Sequence, residues 1–183
     1  ARHYHHFWDG CVLLAILPRP MRATVTLDWV DSPRLHRLMT AANQAAGWTV
    51  TPRFDHQNRL PISEQAQLLA ASRATIAALR DDELVLIFPE GYPTIDPKST
   101  PKTRDDEMLP FKPGVLRFAA LAERDGHTRA PIVPVGFEYR NGPRMGVTVR
   151  FGEAERPWSD QAAHVRHLER EVRRLSGLDA APD

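Results

Sequence analysis

The chain has 183 residues, of which 42 % are apolar and 26 % charged, with a formal net charge of +1. That length suits one domain with a real core, and the charge balance argues against disorder and against a nucleic-acid binder driven by bulk charge. A single cysteine, Cys11, excludes an internal disulfide framework and a cysteine-rich zinc site, and no apolar run approaches the ~20 residues that span a bilayer.

The chain opens at Ala1, directly on a histidine cluster. The expectation is one domain over residues 1–183, truncated at its N-terminus, with room for a membrane anchor or a first strand before Ala1. Residues 9–17 (DGCVLLAIL) read as a short buried helix ending before Pro18, and MRATVTL (21–27) alternates as a half-buried strand does. Residues 33–46 read as a helix with Leu35, Leu38 and Met39 inward, stopped by Gly47. WTV (48–50) is a short strand, and 54–61 is polar and loop-like. The spacing then predicts a long helix over 62–80, capped by Ser63, with Ile62, Ala66, Leu69, Ile76 and Leu79 on its inner face. ELVLIF (83–88) is a continuous apolar run of strand length, as in strands covered on both faces. Residues 92–108 carry three prolines, several charges and no periodicity, which marks a long surface loop. A helix over about 113–125 ends at Gly126; PIVPVGFEY and GVTVRF are two strands; and 159–176 is a charged amphipathic helix begun by Ser159 and closed by Gly177. Strands and helices alternate, so the fold class is α/β.

Two stretches carry chemistry. HYHHFWDG (3–10) packs three histidines, an aspartate and a glycine into eight positions. A metal site there is poorly served, because His5 and His6 are adjacent and point apart on either a helix or a strand, and one carboxylate is close. A His–Asp pair is better served: a neutral imidazole takes a proton from a hydroxyl while a carboxylate holds the ring's tautomer. If a helix begins near His5, then His5 and Asp9 stand one turn apart on one face. IFPEG (87–91) ends the buried strand, where α/β folds bind ligands, and so places Glu90 and Gly91 at the expected site.

Taken together, the His-and-Asp opening, GWTVTPR (47–53), FPEG (88–91), LPFKPG (109–114) and APIVPV (130–135) resemble the glycerophospholipid acyltransferases of the lysophosphatidic acid type. The resemblance runs from residue 3 to about 153. It implies an α/β domain whose central sheet is mostly parallel or mixed and flanked by helices. It also implies transfer of a fatty acyl group from acyl-CoA or acyl carrier protein to the hydroxyl of a lysophospholipid or glycerol-phosphate acceptor. In that family a histidine five residues before the aspartate is the base; here Tyr4 holds that position, so the base is His5 or His3. His5 is favoured because it keeps the pair within one helical turn, while "RH" at 2–3 sits where the family has "NH". Asp9 would orient the imidazole. Arg53 would hold the substrate phosphate, Glu90 with Gly91 would position the glycerol part, and Pro131–Pro134 would pack near the acyl donor. The family's arginine after FPEG is replaced by Tyr92 and Pro93, which leaves its phosphate contact to Lys98, Lys102, Arg104 or Lys112. No metal or bound cofactor is required. The implied partners are the acyl donor, a lysophospholipid and a membrane surface, with no nucleic acid. The implied location is the cytoplasmic face of a membrane, peripheral or anchored by a segment before Ala1. The alternatives are a non-catalytic relative that binds lipid or acyl-CoA, and a metallohydrolase in which His36 or His56 completes the histidine cluster.

Overall fold

A computed structural model describes residues 1–51, 61–98, 100–140 and 146–179. The order is α1 (Trp8–Ile16), β1 (Met21–Val25), α2 (Pro33–Ala45), β2 (Thr49–Val50), α3 (Ile62–Arg80), β3 (Leu84–Leu86), α4 (Gly114–Ala122) with a 3-10 turn (Glu123–Asp125), β4 (Val135–Arg140), β5 (Gly146–Phe151) and α5 (Gln161–Leu175). The class is α/β, as the alternation predicts. β1, β2 and β3 form a parallel sheet in the order β2-β1-β3, with Thr24 opposite Thr49 and Met21 opposite Leu84. β4 and β5 form a separate antiparallel pair.

The first residues tie the two sheets together. The Ala1 amine donates to the Ile87 carbonyl just after β3, and the Arg2 N–H donates to the Val135 carbonyl at the start of β4. Residues 3–6 then pair with the long loop: Thr94 N–H bonds the His3 carbonyl, Ile95 N–H the Tyr4 carbonyl at 2.7 Å, and His6 N–H the Ile95 carbonyl. One core joins Leu13 of α1, Met21 and Ala23 of β1, Leu86 of β3, and Val135 and Phe137 of β4. A second joins Met108, Phe111 and Leu116 to Leu168 and Val172 of α5. α5 lies close on β4 because residue 136 is glycine: a Cβ there would stand 2.3 Å from the Leu175 backbone.

Four local expectations are corrected. α1 is not a buried helix: Asp9 and Leu13 are inside, while Leu14, Ala15 and Ile16 are exposed. α2 does not turn its leucines inward: Leu35 and Leu38 are 45 % and 67 % exposed, and its inner side carries the half-buried His36, Met39, Thr40 and Asn43. α3 keeps only part of its expected inner face: Ile76 and Leu79 are half-buried against Ala119, Ala122 and Ala130, whereas Ile62, Ala66 and Leu69 are exposed, and the buried positions of the helix are the small Ala71, Thr75 and Ala78. The caps also move: Pro61 rather than Ser63 precedes α3 with no side-chain cap, and Asp160 rather than Ser159 caps α5 by accepting the Ala163 N–H. No helix among the described residues is long and apolar enough to cross a membrane.

Candidate active site

α1 begins at Trp8, so Asp9 falls in its first turn, where a carboxylate is favoured by the helix dipole. Asp9 is fully buried and accepts four donors' worth of contacts. Oδ2 receives the Tyr4 N–H at 2.7 Å and the His5 N–H at 3.0 Å, and pairs with His3 Nδ1 at 3.0 Å. Oδ1 receives the Tyr139 hydroxyl at 2.6 Å. Tyr139 reaches in from β4, where it alternates with Phe137, and its ring stacks on Tyr4. Burial, and then the charge of Asp9, hold the Tyr139 phenol far above its ordinary range, so it stays a donor.

The histidine paired with Asp9 is therefore His3. The expectation that His5 pairs through one helical turn is not met, because the helix starts after His5 rather than at it. The His5 backbone N–H bonds Asp9, while its ring faces the other way: Nδ1 accepts the Phe7 and Trp8 N–H groups at 3.2 and 3.4 Å, capping α1. Burial, with His6 beside it, holds the His5 imidazole below its ordinary pKa. With Nδ1 of His3 donating to the Asp9 carboxylate, the lone pair of that ring lies on Nε2. The His3 ring is pinned flat on Phe88 of FPEG, centroids 4.0 Å apart and 13° from parallel.

Glu90 is also buried, and its carboxylate faces protein. Oε1 accepts the His3 N–H at 2.7 Å, and Oε2 accepts the Leu109 N–H at 3.0 Å and the Lys102 ammonium at 2.6 Å. Lys102 Nζ also donates to the His3 carbonyl at 2.8 Å. Burial lowers the Lys102 pKa, opposed by the adjacent Glu90 charge. Glu90 is thus placed to hold the His3 backbone rather than to face an acceptor, and Lys102 is spent on that clamp. The other loop cations divide similarly: Lys98 pairs with Asp31 at 3.3 Å and Arg104 with Asp106 at 2.9 Å. Lys112 remains at the site, its ammonium packed over Gly91, where a Cβ would come within 2.8 Å of Nζ and where φ is +80°. Arg53 lies outside the described residues, as does His56.

His3, His6, Phe88, Gly91 and Lys112 border a cavity of about 290 Å³. Thr24–Thr26, Thr51 and Leu86–Phe88 place it at the carboxyl ends of all three parallel strands, where α/β sheets bind ligands. A second, largely apolar cavity of about 360 Å³ lies between β3 and β4, lined by Leu13, Met21, Leu84 and the whole Pro131–Pro134 segment. The two share Leu86 and Ile87. Among the described residues no group of three or more His, Cys, Asp or Glu side chains could hold a metal ion.

Tyr139 and Lys102 are the participants that sequence reasoning missed or misplaced. The alternation Val135, Phe137, Tyr139 is a signal that puts Tyr139 on the core side; nothing local marks Lys102 as buried. A protein-family model described as Acyltransferase matches residues 1–138, a span that holds His3, Asp9, FPEG and Lys112. No curated protein and no solved structure matches the chain.

Proposed function

The chain belongs to the glycerophospholipid acyltransferase family, and on that premise we propose that it transfers a fatty acyl group from a thioester, acyl-CoA or acyl carrier protein, to a hydroxyl of a glycerol-phosphate lipid. The observation that carries this reading is the His3–Asp9 pair at the edge of a cavity built on the carboxyl ends of the parallel strands.

In this reading His3 is the base. Its Nε2 takes the proton of the acceptor hydroxyl as that oxygen attacks the thioester carbonyl carbon. Asp9 holds the ring through Nδ1 and stabilises the imidazolium that forms. The tetrahedral intermediate collapses, the C–S bond breaks, and the leaving thiolate takes the proton back from Nε2. The ester and the free thiol leave. Asp9, itself fixed by two backbone N–H groups and the Tyr139 hydroxyl, cannot swing away from His3 during this cycle without losing all three. Glu90 and Lys102 act on the same histidine through its backbone N–H and C=O. Lys112 contacts the acceptor phosphate, supported by its place on the cavity wall beside Gly91; Arg53, on sequence spacing, is the second phosphate contact. The acyl chain takes the apolar cavity along Pro131–Pro134, whose lining shares Leu86 and Ile87 with the cavity at His3.

Thiol release from acyl-CoA and from acyl carrier protein, with and without lysophosphatidic acid, tests the reaction. Release that requires the acceptor, with a phosphatidic acid product, is the expected result. Turnover that is independent of any lysolipid or glycerol-phosphate acceptor contradicts it. Lys112→Ala is expected to raise KM for the phosphorylated acceptor about tenfold or more, in line with loss of one charge-assisted contact, while leaving KM for the thioester near wild type.

A further inference from the structure

α2 is built the wrong way round for a helix that only covers a sheet. Its half-buried side is His36, Met39, Thr40 and Asn43, tied up by the Thr40 hydroxyl to His36 Nδ1 and by Asn43 to the Met39 carbonyl. Its outer side carries Leu35, Leu38 and Ala42, three and four residues apart and so in one stripe, all exposed. Arg34 and Arg37 flank that stripe and are exposed as well, and the helix contains no aspartate or glutamate. The same end of α2 adjoins the cavity mouth. Trp29, three residues before the Ser32 cap, lines the cavity; the ring of His6 meets it edge-on at 5.2 Å; and Phe7 and Trp8, next in the chain, are 47 % and 44 % exposed. The Lys98–Asp31 ion pair ties the long loop to the same corner.

We propose that α2, with Phe7 and Trp8, is the face on which this protein lies against an anionic lipid bilayer, which brings the cavity mouth to the headgroup level. Outward leucines flanked by arginines on a helix of low overall hydropathy are the pattern of an interfacial helix, and tryptophan favours the headgroup boundary. The positive charge selects the partner. Pairing α2 with its own copy would bring arginines from both helices to an interface to which the helix itself supplies no acidic residue, whereas acidic headgroups neutralise them. The inference rests on the acyltransferase reading for its biological sense, since a lipid acceptor is reached from a membrane, but its test does not depend on turnover.

The test is co-sedimentation of the full chain with vesicles of equal parts phosphatidylglycerol and phosphatidylcholine, and with vesicles of phosphatidylcholine alone. Wild type binds the anionic vesicles more tightly, and added salt weakens that binding. Leu35→Ser/Leu38→Ser lowers the partition coefficient about tenfold or more, and Arg34→Gln/Arg37→Gln removes the preference for phosphatidylglycerol. Both keep the wild-type melting temperature, since these side chains touch little in the fold, and both keep turnover of a short-chain, water-soluble acceptor. His3→Ala, which is expected to lose turnover, binds vesicles as wild type does, so failure of the catalytic reading and failure of this one are separable. The proposal is overturned if the leucine variant binds vesicles as well as wild type does. It is also overturned if wild type ignores anionic vesicles, or if the leucine variant instead turns a dimer into a monomer.

Discussion

Among the described residues, two regions pair histidine with a carboxylate, and the proposed function uses one of them. Near the N-terminus His3 meets Asp9 at 3.0 Å. Near the C-terminus His164 and His167, one turn apart on α5, both meet Glu155, at 3.1 and 2.8 Å. By distance alone the second cluster is the richer. Its chemistry is closed, however: His164 is fully buried, its Nδ1 accepts the Trp158 N–H, its Nε2 faces Glu155, and its ring is covered by Trp158 at 4.6 Å and 5°. Neither ring borders either cavity, and the Glu155 backbone is itself paired with Ile132. The cluster staples α5 to the strand segment beside it. His3 differs in one respect that matters: it lines a cavity, and its side chain keeps 15 % of its exposure. A His–carboxylate distance identifies a held ring, and an accessible lone pair identifies a base.

Substitutions sharpen that contrast. The largest effect is expected for Asp9→Asn, which leaves the shape but removes the charge that holds the His3 tautomer; kcat falls roughly 10²–10⁴-fold, while Glu155→Gln leaves kcat within about twofold. Steady-state assays of the two variants check this, and equal losses would erase the distinction. Next comes Lys102→Met. Its ammonium and the Glu90 carboxylate are both fully buried, so removing one charge strands the other, at about 3–5 kcal/mol of stability measured by denaturant unfolding. Lys102→Met combined with Glu90→Gln recovers much of that loss, because no buried charge is left unpaired.

Tyr139→Phe is smaller, about 1.5–3 kcal/mol for one hydrogen bond to a buried carboxylate, and carries a pH signature. The folded phenol is held protonated above its ordinary value of 10, so its contribution to stability is present below pH 10 and is lost as pH rises above it; the Phe variant loses that part of the alkaline slope. The smallest effect belongs to His5→Asn. His5 binds its proton less readily folded than unfolded, so stability falls as pH drops below 6.5, and the variant flattens that acid slope in thermal melts without altering turnover.

The alternation of helices and strands was readable because apolar periodicity and the punctuating Gly and Pro residues are local signals. That FPEG lies at the cavity was readable for the same reason, since it ends an apolar run of strand length. The partner of Asp9 was not. Helical spacing favours His5, but whether spacing applies depends on where α1 starts, and the chain enters that helix as an extended segment bonded to Thr94 and Ile95, ninety residues away. Lys102 was equally hidden: in sequence it is one of several loop cations, and only the fold brings it onto Glu90. The leucines of α2 misled for a different reason. Periodicity reports that a helix has an apolar stripe, and it is silent on whether the protein or something else covers it.

In the proposed reaction His3, held by Asp9 and lining the cavity, is the base. The most direct measurement is acceptor-dependent thiol release by His3→Ala beside His5→Ala, with folding of each checked by its melting temperature. The expected result is a loss of roughly 10²–10⁴-fold in kcat for His3→Ala and less than about tenfold for His5→Ala. Full activity in His3→Ala with loss in His5→Ala would contradict it.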